Sequence, residues 1–411
     1  MHTFTSINDI EALIQKNDDY RTRSLNLIAS ENLISPTVRR FYDNELIARY
    51  GCYETGNLAQ REYTGNKYIY EIEYATQELA KEVFHAEYVD LRPLSGHTAG
   101  LATILALTPP GQCLLEYHLR DWGHGMMAPA CDCVPHLKQS LRIAYFRFVG
   151  DYEFDLSDLE RQIDEEKPVT VILGSSGLLF PEPVAEIKKI CAARNITLIA
   201  DASHVSGLIA GGVYPNPLEH GADIMFLSTH KSFPGPQGGM ILSNDKSLIE
   251  KVGNTLSPGM VTSHHVFRLP ALAAALLEVK KFGKAYGEQI IKNSQALGAA
   301  LDAQGVEVLA KDRGYSATHI LLADIRKFGS SQEIAKYLES GNIFVSDDFG
   351  SGGTQIRLGT AEITRRGMKE SDMQSIALLI AKALHKNESE AVLSEKVAAL
   401  VSPFTHCAYA I

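Results

Sequence analysis

Between residues 168 and 243, short apolar runs alternate with helical spacing, and this alternation limits the fold more than any other feature. PVTVILG (168–174), ITLIA (196–200), DIMFLS (223–228) and GMILS (239–243) are too short for helices. They are apolar almost throughout, as strands buried on both faces are. Residues 184–194, between the first two, carry the amphipathic spacing of a helix. This order predicts an α/β fold with a large, mostly parallel sheet covered by helices. Earlier, Ser95-Gly96-His97-Thr98-Ala99-Gly100 leads into a helical stretch at 101–107. From 269 to 304 the pattern is long and helical, and it runs into a smaller α/β unit near 306–384 that contains ATHILLADI and TQIRLGT. A chain of 411 residues is too long for one ordinary core. The expected division is an N-terminal helix or arm at 1–20, a large domain at 21–280 and a small C-terminal α/β domain at 281–411, with the boundary inside the long helix.

Charge and composition exclude several classes. The net charge is −10, and no basic cluster offsets it, so a nucleic-acid surface is not expected. The first residues show no cationic segment followed by an apolar run, and nothing approaches 18 consecutive apolar residues. No membrane association and a cytoplasmic location are expected. Six scattered cysteines then read as free thiols. Cys131-Asp132-Cys133 with His136 lacks a second ligand pair at zinc-like spacing, so no metal site is expected.

Three chemistry-bearing features follow one another along the expected sheet. Asp201-Ala202-Ser203-His204 closes the ITLIA run, and Ser228-Thr229-His230-Lys231 closes DIMFLS. The turn Pro234-Gly235-Pro236-Gln237-Gly238-Gly239 comes next. Ligands of open α/β sheets bind beyond the carboxyl ends of the strands, so Asp201 and Lys231 can converge on one crevice. An amine and a carboxylate so placed suit pyridoxal 5′-phosphate. The amine attacks the cofactor aldehyde, and burial or cationic neighbours help it shed its proton. The carboxylate keeps the pyridine nitrogen protonated and the ring able to accept electrons. A lone lysine after a strand is ordinarily a solvated loop cation. Asp201, His204 and the glycines in its company point to a cofactor lysine instead.

With these motifs in place, the sequence resembles the serine hydroxymethyltransferase family. NLIASEN (26–32), LSGHTAG (94–100), DASHVSGLIAGGVYPNP (201–217), THKSFPGPQGG (229–239) and IRLGTAEITRRG (356–367) follow the family's motifs in order. The resemblance implies the type I aminotransferase-like fold, with a seven-stranded sheet in its large domain. It also implies a homodimer with shared active sites, whose further pairing into a tetramer stays open. Lys231 would form the Schiff base and Asp201 would meet the ring nitrogen. Ser95, Gly96 and His97 would cradle the phosphate at a helix N-terminus, although the family usually has serine at the position of His97. His124 would stack on the ring, Ser176 and His204 would lie on its phenolic-oxygen side, and Ser228 and His230 would complete the cofactor contacts. Arg357 would grip the substrate carboxylate, assisted by Ser30, a task suited to its planar fork. Tyr50 and Tyr63 would line the substrate pocket from across the dimer interface.

Departures from the family gather on its folate side. Tyr50-Gly51-Cys52 puts a cysteine where the family has a catalytic glutamate; Cys52 or Glu54 replaces it, or no residue fills the role. The family's paired tyrosines become Glu62-Tyr63, and the leucine beside the stacking histidine is Gly125. Gln237 replaces a cofactor-side arginine, and the paired glycines that reach the neighbour's phosphate are Thr262-Ser263. Each hydrogen bond a pterin loses in this way costs about 1–3 kcal/mol, so weak or no folate dependence is expected. The expected reaction makes or breaks a Cα–Cβ bond, by hydroxymethyl or aldol transfer between a β-hydroxy amino acid and glycine. A threonine aldolase or transaldolase, an amino-acid decarboxylase with or without oxygen, and a catalytically degenerate scaffold subunit are the alternatives.

Overall fold

The computed structural model describes residues 3–53, 58–124, 126–134, 141–347 and 350–411. The chain forms two compact units. The larger comprises Ser30–Glu288, Phe349–Ser351 and Tyr409–Ile411, and the smaller comprises Met1–Ala29, Gln289–Asp348 and Gly352–Ala408.

A seven-stranded sheet organises the larger unit. Its spatial order is Tyr88–Asp90, Gly239–Ser243, Ile224–Ser228, Thr197–Asp201, Thr170–Leu173, Cys113–Glu116, Arg142–Tyr145. Only Gly239–Ser243 runs against its neighbours. Every residue of Thr170–Leu173, Ile224–Ser228 and Gly239–Ser243 is buried, because helices cover both faces. Gly96–Leu107 is one covering helix, and its Ala99, Ala102 and Ile104 share a core with Ile199, Ile224, Phe226 and Ile241. The four apolar runs of the sequence are all strands here, and 184–194 is the helix Val184–Ala192.

The smaller unit pairs Gln355–Gly359 with Ile320–Asp324 in antiparallel register, Arg357 opposite Leu322. A short parallel pair joins Leu25–Asn26 to Ile343–Phe344. This pairing assigns the chain up to Ala29 to the smaller unit, where sequence reading begins the large domain at residue 21. The first helix, Ile7–Thr22, starts from a Ser6 capping box and buries none of its residues. It ends with Tyr20 against the Phe344 ring, 5.0 Å between centroids. The division between the units falls within the helix Leu269–Ala303, at Glu288 and Gln289.

Among the described residues, no helix is long and apolar enough to cross a membrane, and no cluster of His, Cys, Asp and Glu could hold a metal ion. His136 lies outside the described residues. Among the described residues, none of the six cysteines forms a disulfide.

Candidate active site

Asp201 and Ser228 end neighbouring parallel strands, paired with Asp201 opposite Phe226. The carboxyl end of one strand therefore carries the carboxylate, and the residues just past the next carry the lysine. Asp201 Oδ1 accepts the Ser203 amide at 2.9 Å, which fixes the carboxylate against the turn that follows. Gly174, on the adjacent strand end, has φ +106°, and a Cβ there would lie 3.0 Å from the Asp201 Cβ. Only glycine adopts that backbone without strain, and its missing side chain leaves room for Asp201.

Lys231 is 9% exposed, and its Nζ lies 3.2 Å from His204 Nε2. Next door, burial first and the Lys231 charge second pull His230 down to about 4, so it is a neutral imidazole at pH 7. The loop beyond Lys231 folds back on Thr229. Thr229 Oγ1 donates to the Pro236 carbonyl at 2.6 Å, and the Gly235 amide donates to the Thr229 carbonyl at 3.0 Å. Asn32, which sequence reading leaves without a role, donates to the Lys231 carbonyl at 2.7 Å and to the Tyr286 hydroxyl at 2.9 Å. Its place inside NLIASEN was the available signal.

Ser95 caps the helix Gly96–Leu107. Its Oγ accepts the Thr98 amide at 3.0 Å, which leaves the Gly96 and His97 amides as first-turn donors with no partner inside the helix. Gly96 packs directly over the strand end: a Cβ there would run into Ser228 Oγ and lie 3.0 Å from Ser203 Oγ. A helix N-terminus pressed onto the lysine-bearing strand end is a place for an anionic group. Ser203, inside the DASH run and given no role by the sequence, lies at this helix-to-strand contact.

His97 meets His124: Nδ1 of one lies 3.2 Å from Nε2 of the other, with the rings edge-on and 5.4 Å between centroids. His124 shares a small cavity with Gly174 and Asp201. Ser176 is tied to the same corner, its amide and Oγ both donating to the Trp122 carbonyl at 2.7 and 2.8 Å. Tyr50 and Tyr63 come together at 5.5 Å between ring centroids, both half exposed. Ser30 begins the larger unit and is half-buried; Thr262 is exposed and Ser263 half-buried. Glu54 and Gly125 lie outside the described residues. Cys52 is buried, and burial followed by the Glu62 charge pushes its thiol up, so it is neutral at pH 7 and unlike a carboxylate.

Arg357 belongs to the smaller unit, on the strand Gln355–Gly359. It is buried, with Nη2 donating to Ser346 Oγ at 3.2 Å, and burial pulls it down to about 10, still cationic at pH 7.

The larger unit thus offers a buried amine, a carboxylate at the end of the neighbouring strand, an imidazole that lines a cavity with that carboxylate, and a helix N-terminus with free amide donors. That donor set fits pyridoxal 5′-phosphate.

Comparison with known proteins agrees. The serine hydroxymethyltransferase family model matches residues 5–380. A serine hydroxymethyltransferase of Saccharolobus solfataricus is 40% identical over 379 residues, covering 89% of this chain and 85% of that protein. One from Methanocella arvoryzae is 37% identical over 407 residues, covering 95% and 93%. Among solved structures, L-threonine transaldolase from Pseudomonas fluorescens in its internal aldimine state superposes with a TM-score of 0.92 at 29% identity. That match covers 98% of this chain and 93% of that one.

Proposed function

The chain belongs to the serine hydroxymethyltransferase family, and we propose from that premise a division of labour among its own residues. It is a pyridoxal-phosphate-dependent enzyme that makes or breaks a Cα–Cβ bond of an amino acid. The cofactor, when bound, supplies an electron sink for the bond being broken.

Lys231 supplies the amine that holds the cofactor, and His204 beside it accepts a proton from that amine. Asp201 holds the proton on the pyridine nitrogen. The Gly96 and His97 amides take the phosphate, with Ser95, Ser228 and Ser203 around it. His124 covers the ring, and Ser176 and His230 complete its surroundings. Arg357 and Ser30 orient the substrate carboxylate. Tyr50 and Tyr63 close the substrate side, and Thr262 and Ser263 serve the phosphate of a second copy in a homodimer. The contact that carries this reading is Lys231 Nζ to His204 Nε2, one strand away from Asp201.

The substrate is a β-hydroxy amino acid, with glycine as the other amino acid and weak or no need for tetrahydrofolate. The neutral thiol of Cys52, at the family's glutamate position, supports that restriction. A transaldolase acting on threonine is the second reading, favoured by the likeness to L-threonine transaldolase.

The test is spectroscopic. The purified protein should be yellow and should lose its visible band in Lys231→Ala. Serine and threonine should each be cleaved to glycine without added tetrahydrofolate. A colourless wild-type protein sinks the cofactor assignment, and serine turnover that requires and saturates with tetrahydrofolate sinks the folate restriction.

A further inference from the structure

Behind the Ser95–Gly96 turn lies a buried cation that the site described above does not use. Arg268 is 2% exposed. Its Nη2 donates to the Leu91 carbonyl and to the Pro93 carbonyl, the latter at 3.0 Å, so the guanidinium grips the strand exit leading to Ser95. Among the described residues, Nε and Nη1 have no hydrogen-bond partner. On its other side the guanidinium lies on Gly238, where a Cβ would come within 2.5 Å of Nη1 and 3.2 Å of Thr229 Oγ1. Arg268 thus abuts both walls of the phosphate cradle: the run into Ser95–Gly96, and the glycine turn that pairs with Thr229 beside Ser228.

The acids nearby are committed elsewhere. Asp90 holds Arg92 through both carboxylate oxygens. Glu73 accepts from the Tyr53 hydroxyl at 2.9 Å, pairs with Arg61, and lies 3.0 Å from His264 Nε2. Arg61 pairs with Glu73 and Arg92 with Asp90, while Arg268 hydrogen-bonds to neither carboxylate and feels their charge only at longer range. A buried guanidinium with two donor nitrogens unmet is costly, and an anion within their reach would offset that cost.

We propose that Arg268 anchors the cofactor phosphate electrostatically, a positioning residue that holds positive charge behind the Ser95–Gly96 cradle. This rests on the phosphate site proposed above. A residue serving only to staple the loop would need hydrogen-bond donors for the Leu91 and Pro93 carbonyls. The anchor also needs charge. Burial pulls the guanidinium down to about 10, which leaves it charged at neutral pH.

Affinities of the apoprotein for pyridoxal 5′-phosphate and for pyridoxal separate these roles, because the two ligands differ only in the phosphate. The wild-type protein should prefer the phosphorylated form. Arg268→Met and Arg268→Gln should shrink that preference on the order of tenfold or more, while leaving pyridoxal affinity within a few-fold. Arg268→Lys should keep most of the preference. The glutamine variant retains a donor for the Pro93 carbonyl, so it reports even if the methionine variant does not fold. An unchanged preference in the neutral variants overturns the proposal, as does an equal loss in Arg268→Lys. A wild-type protein with no preference for the phosphorylated form would instead overturn the phosphate site itself.

Discussion

Glu182 shows how one residue near the cofactor cleft sets a pH dependence. Burial pushes its carboxyl up to about 7. Hydrogen bonds from the Tyr117 hydroxyl (2.7 Å) and the Gly174 amide (2.9 Å) oppose that shift, and the Asp201 charge adds to it. Its ordinary value is 4.5, so the folded state binds the proton more tightly than the unfolded chain. The group carries no penalty below its unfolded value. As pH rises from about 4.5 towards 7, the folded protein keeps a proton that the unfolded chain releases, and stability falls. The loss amounts to about 3 kcal/mol once both states are ionised. Glu182→Gln keeps an oxygen for both donors and removes the titration. Urea unfolding between pH 5 and 8 should therefore show the variant gaining on the wild-type protein as pH rises. Parallel pH profiles for the two proteins would refute the assignment.

At the scale of elements, the site depends on how closely one helix start can approach one strand end. Gly96→Ala would drive a methyl group into Ser228 Oγ. Overpacking of this kind costs about 1–3 kcal/mol, and here it also pushes the helix N-terminus off the lysine-bearing strand. The expected outcome is a lower melting temperature for the apoprotein together with weaker cofactor binding, measured by thermal unfolding and absorbance titration. A variant that melts and binds like the wild-type protein would show that the contact is slack.

The strands around this contact were legible because their apolar runs are continuous, and the GMILS run matches the strand Gly239–Ser243 residue for residue. The 168–174 run is a strand only over Thr170–Leu173, since Pro168 has no amide to donate and Gly174 has positive φ. The helix expected from 101 begins five residues earlier, because the Ser95 cap can hold a first turn that has little apolar periodicity. Two-residue pairing of Leu25–Asn26 with Ile343–Phe344 left no pattern to read. Site residues inside motifs, such as Lys231, Asp201 and His204, could be read together. The His97–His124 bond and the Arg268 contacts could not, since they join positions far apart in sequence whose types suit many roles.

Several large aromatic side chains of the larger unit are exposed. Tyr42, Tyr50, Tyr63, Tyr68 and Tyr74 are each 36–66% exposed, Phe41 and Ile47 are exposed as well, and the Tyr50 and Tyr63 rings lie together. Exposed apolar clusters of this kind are ordinarily covered by a partner, and a second copy is the commonest one. If Tyr63 serves the Lys231 of a second copy, two inactive variants can repair each other. Lys231→Ala lacks the amine in both sites, and Tyr63→Ala lacks the phenol in both. A mixed dimer then contains one site with neither defect and one site with both. Co-expressed with different tags, the two variants should regain about a quarter of wild-type activity in a statistical mixture. The isolated mixed dimer should regain about half. If each site were built from one chain, both sites of every mixed dimer would carry a defect and no activity would return. Absence of recovery, with each variant folded and the mixed dimer isolated, would therefore exclude a shared site.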